Sequence, residues 1–398
     1  MSKILIISNK YQYFGGTEQV VINEIELLKK NGNQVKLIEF DNNSIKNYNF
    51  IKKIFFLFSC FYSFSSKNII KKNIDAFKPD YIHVHNIFPL ISLSIYSILK
   101  KSDALVFQSI HDHRLAGLCP QGNAYKSGKF CDKCFDGNYF NAVFYKCIKN
   151  NIILSAIYAF NIYINRKFKI MEKSIDYAIV FNQYLKNKLI ETGFDRKKIF
   201  EKPHFIDIST IVKKSKNSNY LIYIGAISNH KGIFTLVKAF NLLKNKISLK
   251  VVGDGDSYED LKKYIQDNNL KQITLLGEVR DLNKKFNLIG NALATIIPSE
   301  CPETFCLAAI ESMGVGVPVI CSKIGSLQYL VTNKYNGFNF RPMDYIELAE
   351  KIDFLIDNYK YDSTLSINAK KDFNKYYNSE KNYKFFEELF LKSHQKRK

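Results

Sequence analysis

The chain has 398 residues, 46% of them apolar, and its 58 Lys and Arg against 37 Asp and Glu give a formal net charge of +21. That length exceeds what one hydrophobic core usually serves, and that apolar share excludes a largely disordered chain, so two packed domains are expected. No window is apolar enough for a membrane span and Met1-Ser2-Lys3 runs directly into a strand pattern without a signal peptide, which implies a cytoplasmic protein.

The charge is uneven, with 30 basic against 16 acidic residues up to Pro203 and 28 against 21 beyond it. A basic N-terminal half suits anionic partners such as lipid headgroups or lipid diphosphates on the inner membrane face. Nucleic acid is disfavoured, because no recognised binding motif accompanies the charge. A biased genome composition rich in Lys, Asn and Ile accounts for part of the excess.

Apolar runs alternate with helical patterns from end to end, the signature of βαβ units around a parallel sheet. The first half predicts strands near Lys3–Ser8, Val35–Phe40, Tyr81–Val84, Leu105–Ile110, Tyr177–Val180 and Ile199–Lys202. Helices are predicted near Thr17–Lys30, Ile51–Ile74, Leu90–Lys100, Asn151–Lys173 and Tyr184–Thr192. Within Ile51–Ile74, the run from Lys52 to Phe58 reads mostly as a core-facing helix with solvated lysines, one exposed strip being able to touch lipid. Residues 208–219 are polar and fit an interdomain linker. The second half predicts strands at Tyr220–Ile224, Leu249–Val252, Ile273–Leu276, Ala292–Ile297 and Pro318–Cys321, and only helical pattern after Ile346.

The most informative motif is Glu303 with Glu311, eight residues apart in the run from Pro302 to Glu311. Eight residues are just over two helical turns, so a helix starting near Phe305 sets Glu311 below its N-terminus on the Glu303 side. Its first N–H groups, at Phe305, Cys306 and Leu307, suit a phosphate oxygen. Two carboxylates beside a phosphate would repel it, so they are read as acceptors for hydroxyls of a sugar and a ribose. The bland alternative makes Glu303 a helix-start acid and Glu311 a solvated face residue, although Glu311 lies on a largely apolar helix.

Gly15 and Gly16 follow the first strand, where glycine lets a diphosphate approach the backbone; a simple tight turn explains them equally. Lys231 lies between a strand and a helix, placed to meet phosphate oxygens as a point charge. His111 and Asp112 end a strand at its carboxyl edge; a histidine satisfied by loop backbone is the competing reading. His83 and His85 alternate on another strand end and receive no role. Asp254-Gly255-Asp256 reads as a loop and helix start, where acids cap N–H groups, rather than a Mg²⁺ site. Cys119, Cys131, Cys134 and Cys147 are half of the eight cysteines and lie in a glycine-rich loop region with one Cys-x-x-Cys pair. In a reducing compartment a structural zinc on these four thiolates is a more natural staple than disulfides, with unligated thiols as the alternative.

Taken in order, these motifs resemble the retaining GT-B glycosyltransferases of glycosyltransferase family four. The resemblance rests on Lys3 to Ile7 with Gly15-Gly16-Thr17-Glu18, Lys78 to Asn86, and Ser109 to Asp112. It continues through Tyr223-Ile224-Gly225 with Lys231-Gly232, Val252 to Gly255, Leu276 to Val279, the Glu pair, and Gly316 to Ile320. The sequence departs from the family pattern at Ala226, where an arginine is usual, and at His230, where a glutamate is common.

The resemblance implies an α/β protein with the GT-B fold, two Rossmann-like doubly wound domains facing a central cleft. Its expected parts are an acceptor-side domain over 1–207 with the Cys-rich insertion 114–150, a linker 208–219, a donor domain over 220–379, and a helix over 380–398 crossing back. It implies transfer of a sugar from a UDP- or GDP-sugar to a lipid-linked or polysaccharide acceptor, retaining and without a metal or other cofactor in catalysis. His111 and Glu303 would face the sugar, Lys231 and Gly16 the diphosphate, and Gly253 and Val279 the rest of the donor. Competing readings are an epimerase or phosphorylase on the same fold, or a non-catalytic partner subunit.

Overall fold

The computed structural model describes residues 1–12, 15–208, 219–359 and 362–397. Two compact units emerge: residues 1–124, 131–204 and 382–398 form the first, and residues 125–130 with 205–381 form the second. The expected linker 208–219 falls almost wholly outside the described residues.

The first unit is built on a six-stranded, all-parallel sheet. Its strands are β1 Lys3–Lys10, β2 Gln34–Asp41, β3 Tyr81–Val84, β4 Leu105–Ser109, β7 Tyr177–Val180 and β8 Ile199–Glu201, in the order β2-β1-β3-β4-β7-β8. The intervening pair, β5 Tyr125–Lys126 and β6 Lys129–Phe130, is an antiparallel hairpin grouped with the second unit. The strands read as near-continuous apolar runs because helices cover both sheet faces; Leu5, Ile6 and Ile7 are fully buried. The carboxyl-terminal helix Ser379–Arg397 packs its aromatic stripe on this sheet from Asn382 onward, with Phe390 stacked on Tyr81 at 3.9 Å between centroids.

The second unit carries β9 Tyr220–Ile224, β10 Ser248–Val252, β11 Ile273–Gly277, β12 Ala294–Ile297, β13 Val319–Ser322 and β14 Gly337–Phe340. Their order, β11-β10-β9-β12-β13-β14 with every pairing parallel, is the doubly wound arrangement in which the order of strand addition reverses between β9 and β12. The loops after these two strands therefore open on the crevice where such sheets bind ligands. The edge strand β14 was not anticipated. Its Phe338 and Phe340 are buried, but Gly-Phe-Asn-Phe is too short to stand out as a strand.

Two helix expectations are corrected. The span 51–74 is two helices, Phe50–Ser59 and Phe64–Phe77, because Ser63 caps the second through a hydrogen bond from Ser66 N. The first of them fully buries none of its residues: Phe50, Phe55 and Phe58 are 76%, 68% and 68% exposed, so most of its apolar side chains do not face the core, while Phe56 and Leu57 are half-buried. The helix expected over Leu90–Lys100 shrinks to a 3₁₀ turn and the short helix Tyr96–Leu99.

Candidate active site

Lys231 closes the loop after β9, and Glu303 lies in the loop after β12, so the two strands flanking the reversal point deliver one residue each. Lys231 Nζ donates to Glu303 Oε1 at 2.6 Å, and Ser299 Oγ donates to the same oxygen at 2.7 Å. Burial by itself would raise the Glu303 carboxyl, but Lys231 and Ser299 outweigh it and hold it below the usual carboxylate range. Burial also works against the Lys231 ammonium, yet Glu303 beside it raises its pKa, so the pair is ionised on both sides. The backbone ties the loops together as well, through Glu300 N to His230 O at 2.9 Å.

Gly325, which sequence reading overlooked, fixes the Glu303 backbone from behind. Its φ is +57°, and a Cβ there would lie 2.6 Å from Glu303 N, so only glycine fits this turn. The adjacent Ser326 N donates to Glu303 O at 2.8 Å. Nothing in the spacing of Gly325 from the motif marked it in advance; it reaches Glu303 from the loop after β13.

Glu311 lies on the helix Leu307–Gly314 and is buried, which removes the reading of it as a solvated face residue. Lys285, from the neighbouring helix Leu282–Gly290, donates to its Oε1 at 2.5 Å. This lysine also escaped sequence reading, because it sits in an ordinary amphipathic helix 26 residues away. Both acids of the motif thus carry a lysine of their own. Side-chain exposure of 30% at Lys231 and 16% at Lys285 leaves each ammonium within reach of solvent.

The helix begins at Leu307 with Cys306 as its N-cap, so Phe305 stands just outside it, edge-on to Tyr377. Cys306 offers no oxygen to cap the helix, and its thiol faces the Ala309 amide. Gly253 also answers a packing need. A Cβ there would lie 1.9 Å from Gly225 O, so its glycine serves the close packing of the loops after β9 and β10. Val279 is half-buried at the edge of the second unit's apolar core. Asp254 Oδ1 accepts from Gly255 N at 2.7 Å, a loop contact.

In the first unit, Gly15 is the N-cap of the helix Gly16–Lys30. Glu18 reaches back to accept from Gly15 N at 3.0 Å and Tyr11 N at 2.9 Å, so a protein carboxylate already engages this turn. His111 follows β4 and is half-buried, and burial, then His85 and His204, push its pKa well below the usual value, making it a neutral imidazole. Asp112 accepts from Leu115 N at 2.9 Å and turns the chain into the insertion. His113 is buried against Gly122 O and Tyr184 and is a structural residue. His83 and His85, left without a role above, join Glu24 in a buried cluster whose ligand atoms lie within 4.8 Å of one another. Their spacing of two on one strand was the available signal; their partner Glu24 lies on a distant helix.

The four insertion cysteines are neighbours. Burial, then the sulfurs of Cys119, Cys147 and Cys131, push the Cys134 thiol up to about 12. They match zinc in number and kind, but among the described residues the one ligand trio within 4.8 Å is the Glu24 group, so the sulfurs stand wider apart than a closed site requires.

Against this geometry, the family model Glycosyltransferase Family 4 matches residues 14–210 and Glycosyl transferases group 1 matches residues 205–372, in sequence order. The chain belongs to glycosyltransferase family 4. Two relatives of this family 4 chain are the uncharacterized glycosyltransferase MJ1178 of Methanocaldococcus jannaschii and the lipopolysaccharide 1,2-N-acetylglucosaminetransferase of Salmonella typhimurium. The first is 28% identical over 54% of this chain and 59% of its own length; the second is 31% identical over 31% and 35%. The matches thus span about a third to three fifths of these relatives. Among solved structures, Anabaena Alr3699/HepE in complex with UDP-glucose is similar with a TM-score of 0.66 over 98% of this chain and 99% of that one, at 16% identity. That likeness carries the GT-B fold. Among the described residues, no helix is long and apolar enough to cross a membrane.

Proposed function

We propose that this family 4 enzyme moves a sugar, with retention of configuration, from a nucleoside-diphosphate sugar to a lipid-linked or polysaccharide acceptor in cell-surface glycan synthesis. The observation that carries the reading is the pairing of each acid with its own lysine. Glu303 and Glu311 would otherwise repel a diphosphate; Lys231 and Lys285 neutralise them while remaining partly open to solvent. When the donor arrives, the ammonium of Lys231 turns to the diphosphate and Glu303 accepts hydroxyls of the sugar. Glu311 accepts the ribose hydroxyls, and Lys285 supplies the second cation that the family's arginine would provide at Ala226. The first-turn amides at Leu307 receive a phosphate oxygen. The departing diphosphate takes the acceptor's proton on the face it leaves, and the fixed cations stabilise its growing charge without reorganisation. The resemblance assigns His111 a sugar hydroxyl and Gly15–Gly16 the donor side of the first unit.

Similarity to a lipopolysaccharide glycosyltransferase and to a structure holding UDP-glucose supports the donor and acceptor classes. The exposed helix Phe50–Ser59, with Lys52 and Lys53 beside Phe55 and Phe58, supports peripheral contact with an anionic membrane. To hold zinc as a structural staple, outside the chemistry, the four insertion cysteines would have to draw their sulfurs closer together. The test is nucleotide release from a panel of UDP- and GDP-sugars with lipid-linked acceptors, run with and without brief EDTA. The reading requires saturable release that survives EDTA; strict Mg²⁺ dependence would contradict it.

A further inference from the structure

The first unit encloses a group of ionisable side chains that the transfer chemistry above does not use. His83 and His85, two residues apart, point from the same side of the β3 strand and its extension. Their Nδ1 and Nε2 atoms stand 3.2 and 3.4 Å from Glu24 Oε2. The other carboxylate oxygen accepts from Lys202 Nζ at 2.6 Å, and Lys202 also donates to Asn382 Oδ1 at 3.1 Å. Glu24, His83, His85 and Lys202 are each 1% exposed or less. On its far side, His85 Nδ1 lies 2.8 Å from Nε2 of the half-buried His111.

Two imidazole nitrogens at 2.8 Å share one proton, and Glu24 decides which ring owns it. Burial favours a neutral carboxyl, but Lys202 and then His83 hold Glu24 ionised, well below the usual carboxylate range. A His85 protonated on Nδ1 would turn the Nε2 lone pair toward that buried anion. The opposite tautomer turns an N–H toward it. The contact is too long and too poorly aligned to be a strong hydrogen bond; the charge, which acts at this distance in a low dielectric, makes the selection.

From this geometry we infer that Glu24 and His85 are positioning residues that hold His111 as its Nε2–H tautomer, with Nδ1 unprotonated and therefore an acceptor rather than a donor. The functional half rests on the proposed role of His111 toward the sugar. A divalent ion is the rival occupant of the Glu24, His83 and His85 trio. Lys202 already neutralises Glu24, so a dication would bring uncompensated charge into a closed site.

The test is ¹⁵N–¹H spectroscopy of the full chain labelled at its seven histidines, with His111 assigned through His111→Asn. His111 is expected as the Nε2–H form in the unaltered protein. The double variant Glu24→Gln/Lys202→Met, which strands neither charge, should convert it to a mixture and lower kcat about tenfold with KM for the donor nearly constant. A His111 protonated on Nδ1, or a tautomer unchanged in a folded double variant, overturns the inference. One equivalent of tightly held metal also overturns it, since metal would replace the His85 proton. If the double variant does not fold, the unaltered protein's spectrum still decides. Normal transfer by His111→Asn would remove the sugar-contact role of His111 while leaving the tautomer result to stand or fall by itself.

Discussion

Glu303 is held from three directions: Lys231 and Ser299 on one oxygen, and the Gly325–Ser326 turn on its backbone. That fixation predicts a loss of rate without a loss of fold. Glu303→Gln should lower kcat by roughly a hundredfold or more while thermal unfolding shifts by only a few degrees, because fixed polar groups at the reacting sugar act mainly in the transition state. Lys231→Met should instead raise KM for the donor, and steady-state kinetics separates the two. The buried histidines set the acid limit. Burial, then His85, push the His83 pKa down to about 4, so the native ring rejects a proton that the unfolded ring accepts near 6.5. This stability is complete above about pH 6.5 and is lost as pH falls toward 4. Thermal melts across that window should show the decline, and His83→Gln should flatten it.

At the scale of elements, the helix Phe50–Ser59 separates two readings of one apolar run. With no residue fully buried, it leaves Phe55 and Phe58 to a partner or a lipid surface. Phe55→Ser/Phe58→Ser should abolish flotation with anionic vesicles and leave the melting temperature unchanged; unaltered flotation would end the membrane assignment. Apart from the short edge strand β14, the strands of both sheets and the Glu303–Glu311 spacing are legible because burial on both faces writes continuous apolar runs and the helical repeat writes the interval. The lysine partners are not. Nothing local marks the tie of Lys231 to Glu303, and Lys285 sits in an ordinary amphipathic helix. Nor does the sequence show that the missing Cβ of Gly253 makes room for Gly225. Each of these facts depends on a neighbour brought in by the sheet order, which no local pattern encodes. The helix at 50–59 was misread for the same reason: amphipathic spacing says which face is apolar, not what lies against it.

For the whole molecule, the carboxyl-terminal helix completes the first unit's core. Phe386 is 1% exposed, lies under Lys202, and meets His83 edge-on, while Phe390 stacks on Tyr81. Phe386→Ala should cost about 3–5 kcal/mol in urea unfolding, and truncation before Asn382 should leave the buried ammonium of Lys202 short of a partner and prevent soluble expression. The second unit holds both lysine–glutamate pairs, and the account stands on what they bind. Calorimetric titration with UDP, GDP and their sugars tests it most directly. One nucleotide and its sugar should bind at a single saturable site, weakened at least tenfold by Glu311→Ala; absence of saturable binding by any of them, or binding untouched by that substitution, would contradict the account.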